Sequence, residues 1–350
     1  MYICGTGIIS PQPSFGHGPF LEEMAEHRGE EMRCIEPEYK DLLDPKLIRR
    51  RSRIIRFGTA AAMDCLKEAG WNSTDAIITG TAYGCLEDTG VFLSRLVEFK
   101  EQMLTPTAFI QSTHNTIGAQ IGLSLKCHSY NNTFVHRAFS FEHALLDAWM
   151  LFKEGQADNA LVGAADEITG YSQAIIRRFG IYRKCESNFT LFEKGQKGTM
   201  AGEGASFFAL QKQAGGKEYA KIDAIKTLLL ENPAAGTMET EIQLFLSAHS
   251  VSITDLDLVL LGYNGDFSHD AALHHLASGM FEDSITSGFK QYCGEYPTSS
   301  AFALWMAANI CKNNSLPSSM GGIGLEGFVR VLIYNVDLLG HHSLILVSSC

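Results

Sequence analysis

Residues 73–88 read STDAIITGTAYGCLED, and residues 253–270 read ITDLDLVLLGYNGDFSHD. Each stretch has an acidic turn, an apolar run of strand length and a glycine turn that hands the chain on. A second pair, GEGASFFALQK at 202–212 and GHHSLILVSSC at 340–350, repeats the same strand-like pattern. Two such pairs imply an internally duplicated chain, with its seam in the polar stretch QKQAGGKEYAK at 211–221. We draw the halves at 1–214 and 215–350. Other β-rich runs, MYICGTGII, NNTFVHRA and NALVGAADEI, alternate with segments of helical period such as SRIIRFGTAAAMDCLKEAG. That alternation predicts an α/β fold.

Composition bounds what such a chain can be. With 350 residues, 45% of them apolar and 19% charged, it can bury a large core. No run reaches the roughly 18 consecutive apolar residues of a membrane span, and MYICGTGIIS lacks the basic and long apolar parts of a signal peptide, so the expected compartment is the cytoplasm. The nine cysteines are an odd number, form no C-x-x-C and sit in apolar contexts such as MDCLKEAG and AANICKN; they are expected to be reduced and buried. A net charge of −11 argues against general nucleic-acid binding.

Residues 133–148, TFVHRAFSFEHALLDA, read as a strand that turns sharply into an amphipathic helix. Such corners often carry a nucleophile, because the first N–H groups of the helix point at whatever sits there. Counted along the turn, the lifted residue is Ala138, which can do no covalent chemistry. His136 and Arg137 flank it and could carry charge into a pocket, or be hydrogen-bonded parts of a strand end. The histidines of HDAALHH (His269, His274, His275) and His341 with His342 invite a metal reading, but the five-residue spacing does not stack on a helix face and no carboxylate pattern completes a site. No metal and no cofactor is expected. Against the acidic background, Lys46, Arg49, Arg50, Arg51, Arg53 and Arg56 place six cations in eleven residues.

Five segments then occur in an informative order: ICGTGIISP, LIRRRSRIIRFGTAAAMDCLKEAGW, LTPTAFIQSTHNTIGAQIGL, GQADNALVGAADEIT and FEKGQKGTMAGEGASFFAL. The last matches F-[DE]-x-x-x-x-G-x-x-x-G-E-G-A at Phe192, Glu193, Gly198, Gly202, Glu203, Gly204 and Ala205. Over nearly its whole length the chain resembles the β-ketoacyl synthases of the thiolase superfamily. The resemblance implies a thiolase-like fold, internally duplicated and layered α-β-α-β-α.

It also implies where the chemistry should be. The family condenses acyl chains with a cysteine on the corner and two histidines in the second half. Counted back from His143 and Ala144, the cysteine falls on Ala138. The histidine of the H-G-T-x-T-P-x-x-D turn falls on Gly262, and the threonines that bind the pantetheine arm fall on Asn264 and Asp266. In the K-x-x-x-G-H motif Lys290 is kept, while Glu295 stands for the histidine; the two could be a residual acid/base pair or a structural ion pair. The final loop, NVDLLGHH at 335–342, keeps Asn335 and Gly340 but loses the gating aromatics.

Losing the nucleophile and both histidines leaves no route to condensation. The chain resembles the chain-length-factor subunits that pair with an active ketosynthase, and its wording is similar to members from aryl polyene and flexirubin pigment clusters. Three function classes follow. The first is a non-condensing partner subunit that shapes the acyl tunnel of a cognate ketosynthase. The second is an enzyme with other chemistry on acyl thioesters, decarboxylation or hydrolysis. The third is a homodimeric scaffold that binds acyl carrier protein. By resemblance, Thr107, Ala108 and Phe109 would line the partner's tunnel, the small side chains of Thr107 and Ala108 leaving depth where the family often has bulky aromatics. The cations Lys46, Arg49, Arg50, Arg53 and Arg56 would dock an acidic carrier or partner face.

Overall fold

The computed structural model describes residues 1–16, 20–42, 51–102, 104–231, 233–234 and 236–350. The N-terminal half supplies β1 (Tyr2–Ile9), β2 (Glu31–Met32), β3 (Ala76–Gly80), β4 (Tyr130–Phe134), β5 (Asn159–Asp166), β6 (Ala201–Gly202) and β7 (Gly204–Gln211). The C-terminal half supplies β8 (Ala220–Leu229), β9 (Leu258–Leu261), β10 (Ile285–Gly288), β11 (Arg330–Val336) and β12 (His341–Ser348). In the first half the sheet order is β1-β7-β5-β3-β4, and in the second β8-β12-β11-β9-β10. Both halves therefore place their first, fifth, fourth, second and third main strands side by side. Directions repeat as well: two antiparallel pairings are followed by two parallel ones in each half. The halves meet where Tyr2 pairs with Lys221 and Ile3 with Ala220. Short β2 and β6 form a separate parallel pair. The passage from one half to the other falls between Gln211 and Ala220, in the polar stretch read as the seam.

Helices α1 (Arg53–Ala69), α2 (Leu86–Glu98), α3 (Pro106–Gln111), α4 (Thr116–Leu125), α5 (Ser140–Glu154) and α6 (Gly170–Ile176) follow in the first half. Helices α7 (Thr237–Ala248), α8 (Phe267–Ser278), α9 (Lys290–Cys293) and α10 (Ser300–Asn313) follow in the second. α1 buries Ile54, Ile55, Phe57, Ala61 and Cys65 against the first sheet and stops at Gly70, whose left-handed backbone (φ 71°) lets its N–H reach back to Leu66 and Lys67. It can lie close to β1 because Gly7 faces it: a Cβ there would sit 2.0 Å from the carbonyl oxygen of Ala61. α10 is buried on almost all sides, as the sequence SAFALWMAANI allows, because it lies with α5 between the two halves of the ten-stranded sheet. α7 and α8 cover the outer face of the second sheet. The layers are thus α-β-α-β-α, as the resemblance implied. No helix among the described residues is long and apolar enough to cross a membrane. The nine cysteines are free, and of them Cys65, Cys85, Cys185, Cys293 and Cys311 are buried.

Candidate functional site

The corner forms where β4 ends and α5 begins. Between them the backbone passes through Arg137 at φ +49°, a left-handed value that an arginine does not adopt without strain, and then through one tight turn to Phe139. The hydroxyl of Ser140 holds this geometry: it accepts the N–H of His136 at 2.8 Å and lies 2.8 Å from the Arg137 carbonyl and 3.0 Å from that of Thr81, to which it can donate. Counting along the sequence put Ala138 at the corner. In the structure the strained, exposed side chain is that of Arg137, and Ala138 is buried beside Phe139 at 3% exposure. A count anchored on the following helix misses this, because a turn of 3-10 geometry separates strand from helix. Neither residue is a nucleophile, and Ser140 is buried and committed to the turn.

Arg137 and His136 open onto a cavity of about 1370 Å³ that also meets α8 and the turn between β11 and β12. Two imidazoles that line it have Nδ1 held by a carboxylate. His269 Nδ1 lies 3.2 Å from Asp270, and His341 Nδ1 lies 2.9 and 3.0 Å from the two oxygens of Asp337. His342 is tied instead to Tyr334, 2.8 Å between Nδ1 and the phenol oxygen. The His341 ring meets Phe139 edge-on at 4.7 Å and stands 6.0 Å from the ring of His136. His274 lies over Tyr263 and His275 reaches Glu239. Among the described residues no group of three or more histidine, cysteine or carboxylate side chains is arranged to hold a metal ion.

The positions where the resemblance expects histidines behave differently. Gly262 packs against β11: a Cβ there would lie 2.5 Å from Asn335 Oδ1, so a histidine needs Asn335 to move. The turn after it is closed by its own polar groups. Asp270 accepts the N–H groups of Asn264 and Gly265 at 2.9 and 2.8 Å, and Asp266 caps α8 while accepting the N–H of Gly198. Lys290 is fully buried with its ammonium 2.8 Å from Glu295, whose backbone is bridged to β6. A buried, paired lysine of this kind is an ion pair that holds two segments together. Asn264 and Asp266 line the cavity, whereas Ala138, Gly262, Lys290 and Glu295 are not among its lining residues.

Of the six-cation run, Lys46, Arg49 and Arg50 lie outside the described residues. The others face inward. Arg51 is buried and reaches Ser124 at 3.4 Å, and Arg56 lies over the ring of Tyr39. Arg53 makes a two-pronged bridge at 2.5 Å to the fully buried Glu203 and a third bond at 2.5 Å to Glu36. Arg53 and Arg56 are thus used within the fold and do not form the docking face expected of them, because Glu203 of the G-E-G-A motif needs a buried cation. Thr107, Ala108 and Phe109 sit on α3 at the surface, outside the cavity, with Phe109 against Phe92 at 5.3 Å.

One buried group escaped the sequence reading. Glu142, in the first turn of α5, is fully buried and its carboxyl is pushed up to about 7 by burial, only partly tempered by the nearby hydroxyls of Ser300 and Ser343. Its two oxygens make no hydrogen bond of good geometry, so burial dominates. The folded chain therefore binds a proton that the unfolded chain releases near the ordinary value of 4.5. Stability from this group is full below about pH 4.5 and falls as pH rises to about 7, by roughly 3 kcal/mol at about 1.4 kcal/mol per unit. Glu142→Gln should flatten this part of the pH–stability curve and raise the urea midpoint at pH 8. An unchanged slope between pH 5 and 7 would remove Glu142 as its source.

Residues 27–177 match the family model described as the β-ketoacyl synthase N-terminal domain. The solved structure described as the ishigamide ketosynthase/chain length factor superposes with a TM-score of 0.83 at 16% identity, covering 100% of this chain and 98% of that one. The family match thus rests on residues 27–177, and over the whole chain the fold is that of this ketosynthase structure. A β-ketoacyl synthase from Burkholderia phymatum STM815 gives 0.79 at 16% identity over 100% and 99% of the two chains. The ketosynthase ApeO in complex with its chain length factor ApeC, from Xenorhabdus doucetiae, gives 0.77 at 16% identity over 100% and 98%. No curated protein matches the chain. Among the described residues no cysteine lines the corner cavity. Burial pushes the thiols of Cys34, Cys65, Cys85 and Cys293 far up, away from the thiolate form that acyl transfer needs.

Proposed function

We propose that the chain is a non-condensing, chain-length-factor-like subunit that pairs with an active ketosynthase and shapes its acyl tunnel in polyene, polyketide or fatty-acid-type elongation. The observation that carries this reading is the corner itself: it keeps its strain and its cavity, yet offers an arginine where acyl transfer needs a thiolate. A cytoplasmic chain with halves at 1–214 and 215–350 fits it. The neighbours described as ketosynthase with chain length factor support the pairing, and the one described as a type II acyl-carrier protein in complex with its ketosynthase supports a carrier as the source of the chain.

The surface around β4 supports a partner as well. β4 is an edge strand, bonded only to β3, and Tyr130 on it, Val135 just after it and Leu123 of the helix α4 packed on it stand exposed, Leu123 at 70%. A second chain that continues this edge would bury them. On this reading α3 reaches across the interface, and Thr107, Ala108 and Phe109 form part of the partner's tunnel floor. Each extra buried CH₂ of product gains on the order of 0.8 kcal/mol while space lasts. Ala108→Phe in the heterodimer should therefore shorten the main product, read by mass spectrometry, with dimerisation intact. An unaltered product distribution at normal turnover would move the length-setting role to other residues.

A further inference from the structure

Two features of the corner cavity are left without a role by a purely non-catalytic subunit. One is Arg137, held at strained backbone angles with its side chain in the cavity mouth. The other is the His341–Asp337 pair. Asp337 accepts the backbone N–H groups of Leu339 and His341 and also takes Nδ1 of the His341 ring, so the ring is fixed by the turn that carries it. A carboxylate on Nδ1 assigns the proton to that nitrogen and leaves the lone pair on Nε2. No partner among the described residues occupies Nε2. The ring is wedged edge-on against Phe139, the residue that leads into α5, and lies 6.0 Å from the ring of His136, which lines the same cavity next to Arg137. Leu229, Leu230, Leu338, Leu339 and Phe179 give the same cavity an apolar wall.

We propose that this cavity hydrolyses acyl thioesters, with His341 as the general base for water and Asp337 as its positioning residue. The substrate class rests on the proposed function, which brings thioester-bound chains to the protein. Water gives a proton to Nε2 of His341 while its oxygen attacks the thioester carbonyl carbon. The developing oxyanion is met by the Arg137 guanidinium, which lines the same cavity. When the tetrahedral intermediate collapses the C–S bond breaks, and the leaving thiolate takes the proton from the imidazolium. One water and one thioester become a carboxylic acid and a free thiol, with no oxidant or co-reactant. The family's two histidines are replaced here by imidazoles at other positions, which suits release of a stalled chain and not its extension.

The test is thiol release from the hexanoyl thioester of N-acetylcysteamine by the purified full chain, followed with a thiol-reactive dye. Saturable release is expected. His341→Gly should lower kcat about 100-fold, the usual size of a general-base contribution, and added imidazole should restore at least a tenth of the lost rate. A structural role for His341 would give no such rescue. The exposed His249→Ala should leave the rate unchanged. If the glycine variant does not fold, His341→Gln supplies the same comparison of kcat. No release by the wild-type chain, or equal rates with and without His341, overturns the proposal. If the chain pairs with a ketosynthase but releases no thiol, the hydrolase inference fails and the subunit reading stands; release without pairing has the opposite meaning.

Discussion

Arg53→Ala is expected to remove about 3–5 kcal/mol of folding stability, a large share of the roughly 5–15 kcal/mol of a native protein. The size follows from what the arginine leaves behind. Glu203 is fully buried and its carboxylate also accepts the N–H groups of Cys34 and Ile168, at 2.8 and 2.9 Å, so it pins three separate segments around one charge. Without the two-pronged bridge from Arg53 that charge stays in the interior with no cation to offset it. Arg53→Lys should lose less, since a point charge remains while the planar fork is gone. Urea titrations of the three proteins would show the ranking. A stability of Arg53→Ala within about 1 kcal/mol of wild type would mean that Glu203 is solvated and the bridge is incidental.

Putting a cysteine back on the corner is expected to restore no condensation. Ala138→Cys puts the thiol under the turn, where the present side chain is only 3% exposed, and Arg137→Cys puts it at the strained position that faces the cavity. The second thiol is expected to accept an acyl group from a carrier thioester, because it would sit just before a helix. Neither variant has the two imidazoles needed to decarboxylate the malonyl thioester, since Gly262 is packed on Asn335 and Glu295 is paired with Lys290. Elongated product should stay at the uncatalysed background in both. Product above background from either variant would show that other groups supply the decarboxylation, and the three losses would no longer define the chain.

The fold was legible because its signals are periodic and repeated. The pair 73–88 and 253–270 became β3 and β9 with their following turns, and the same strand order and directions recur in both halves. The site was legible in part. Motif counting found the turn at 262–270 and the Lys290–Glu295 pair, because these are short and locally anchored. It put Ala138 at the corner and gave no sign of the left-handed backbone at Arg137, since backbone sign has no signature in side-chain type. It read Arg53 as a surface cation, because charge density alone does not tell a solvated run from one that meets a buried glutamate about 150 residues away in the chain, a contact made only when the layers close. Glu142 gave no signal: a glutamate in a first helical turn is ordinary, and only the packing of α5 between the sheets makes it a proton-binding group.

The central claim is that this chain serves a condensing partner without carrying the acyl chain itself. It is tested most directly by co-purifying the chain with its cognate ketosynthase, incubating the complex with an acyl carrier protein thioester, and taking the intact mass of both subunits. The account predicts a one-to-one complex in which the acyl adduct appears on the ketosynthase alone. A chain that stays apart from the ketosynthase, or that takes the adduct itself, would contradict it.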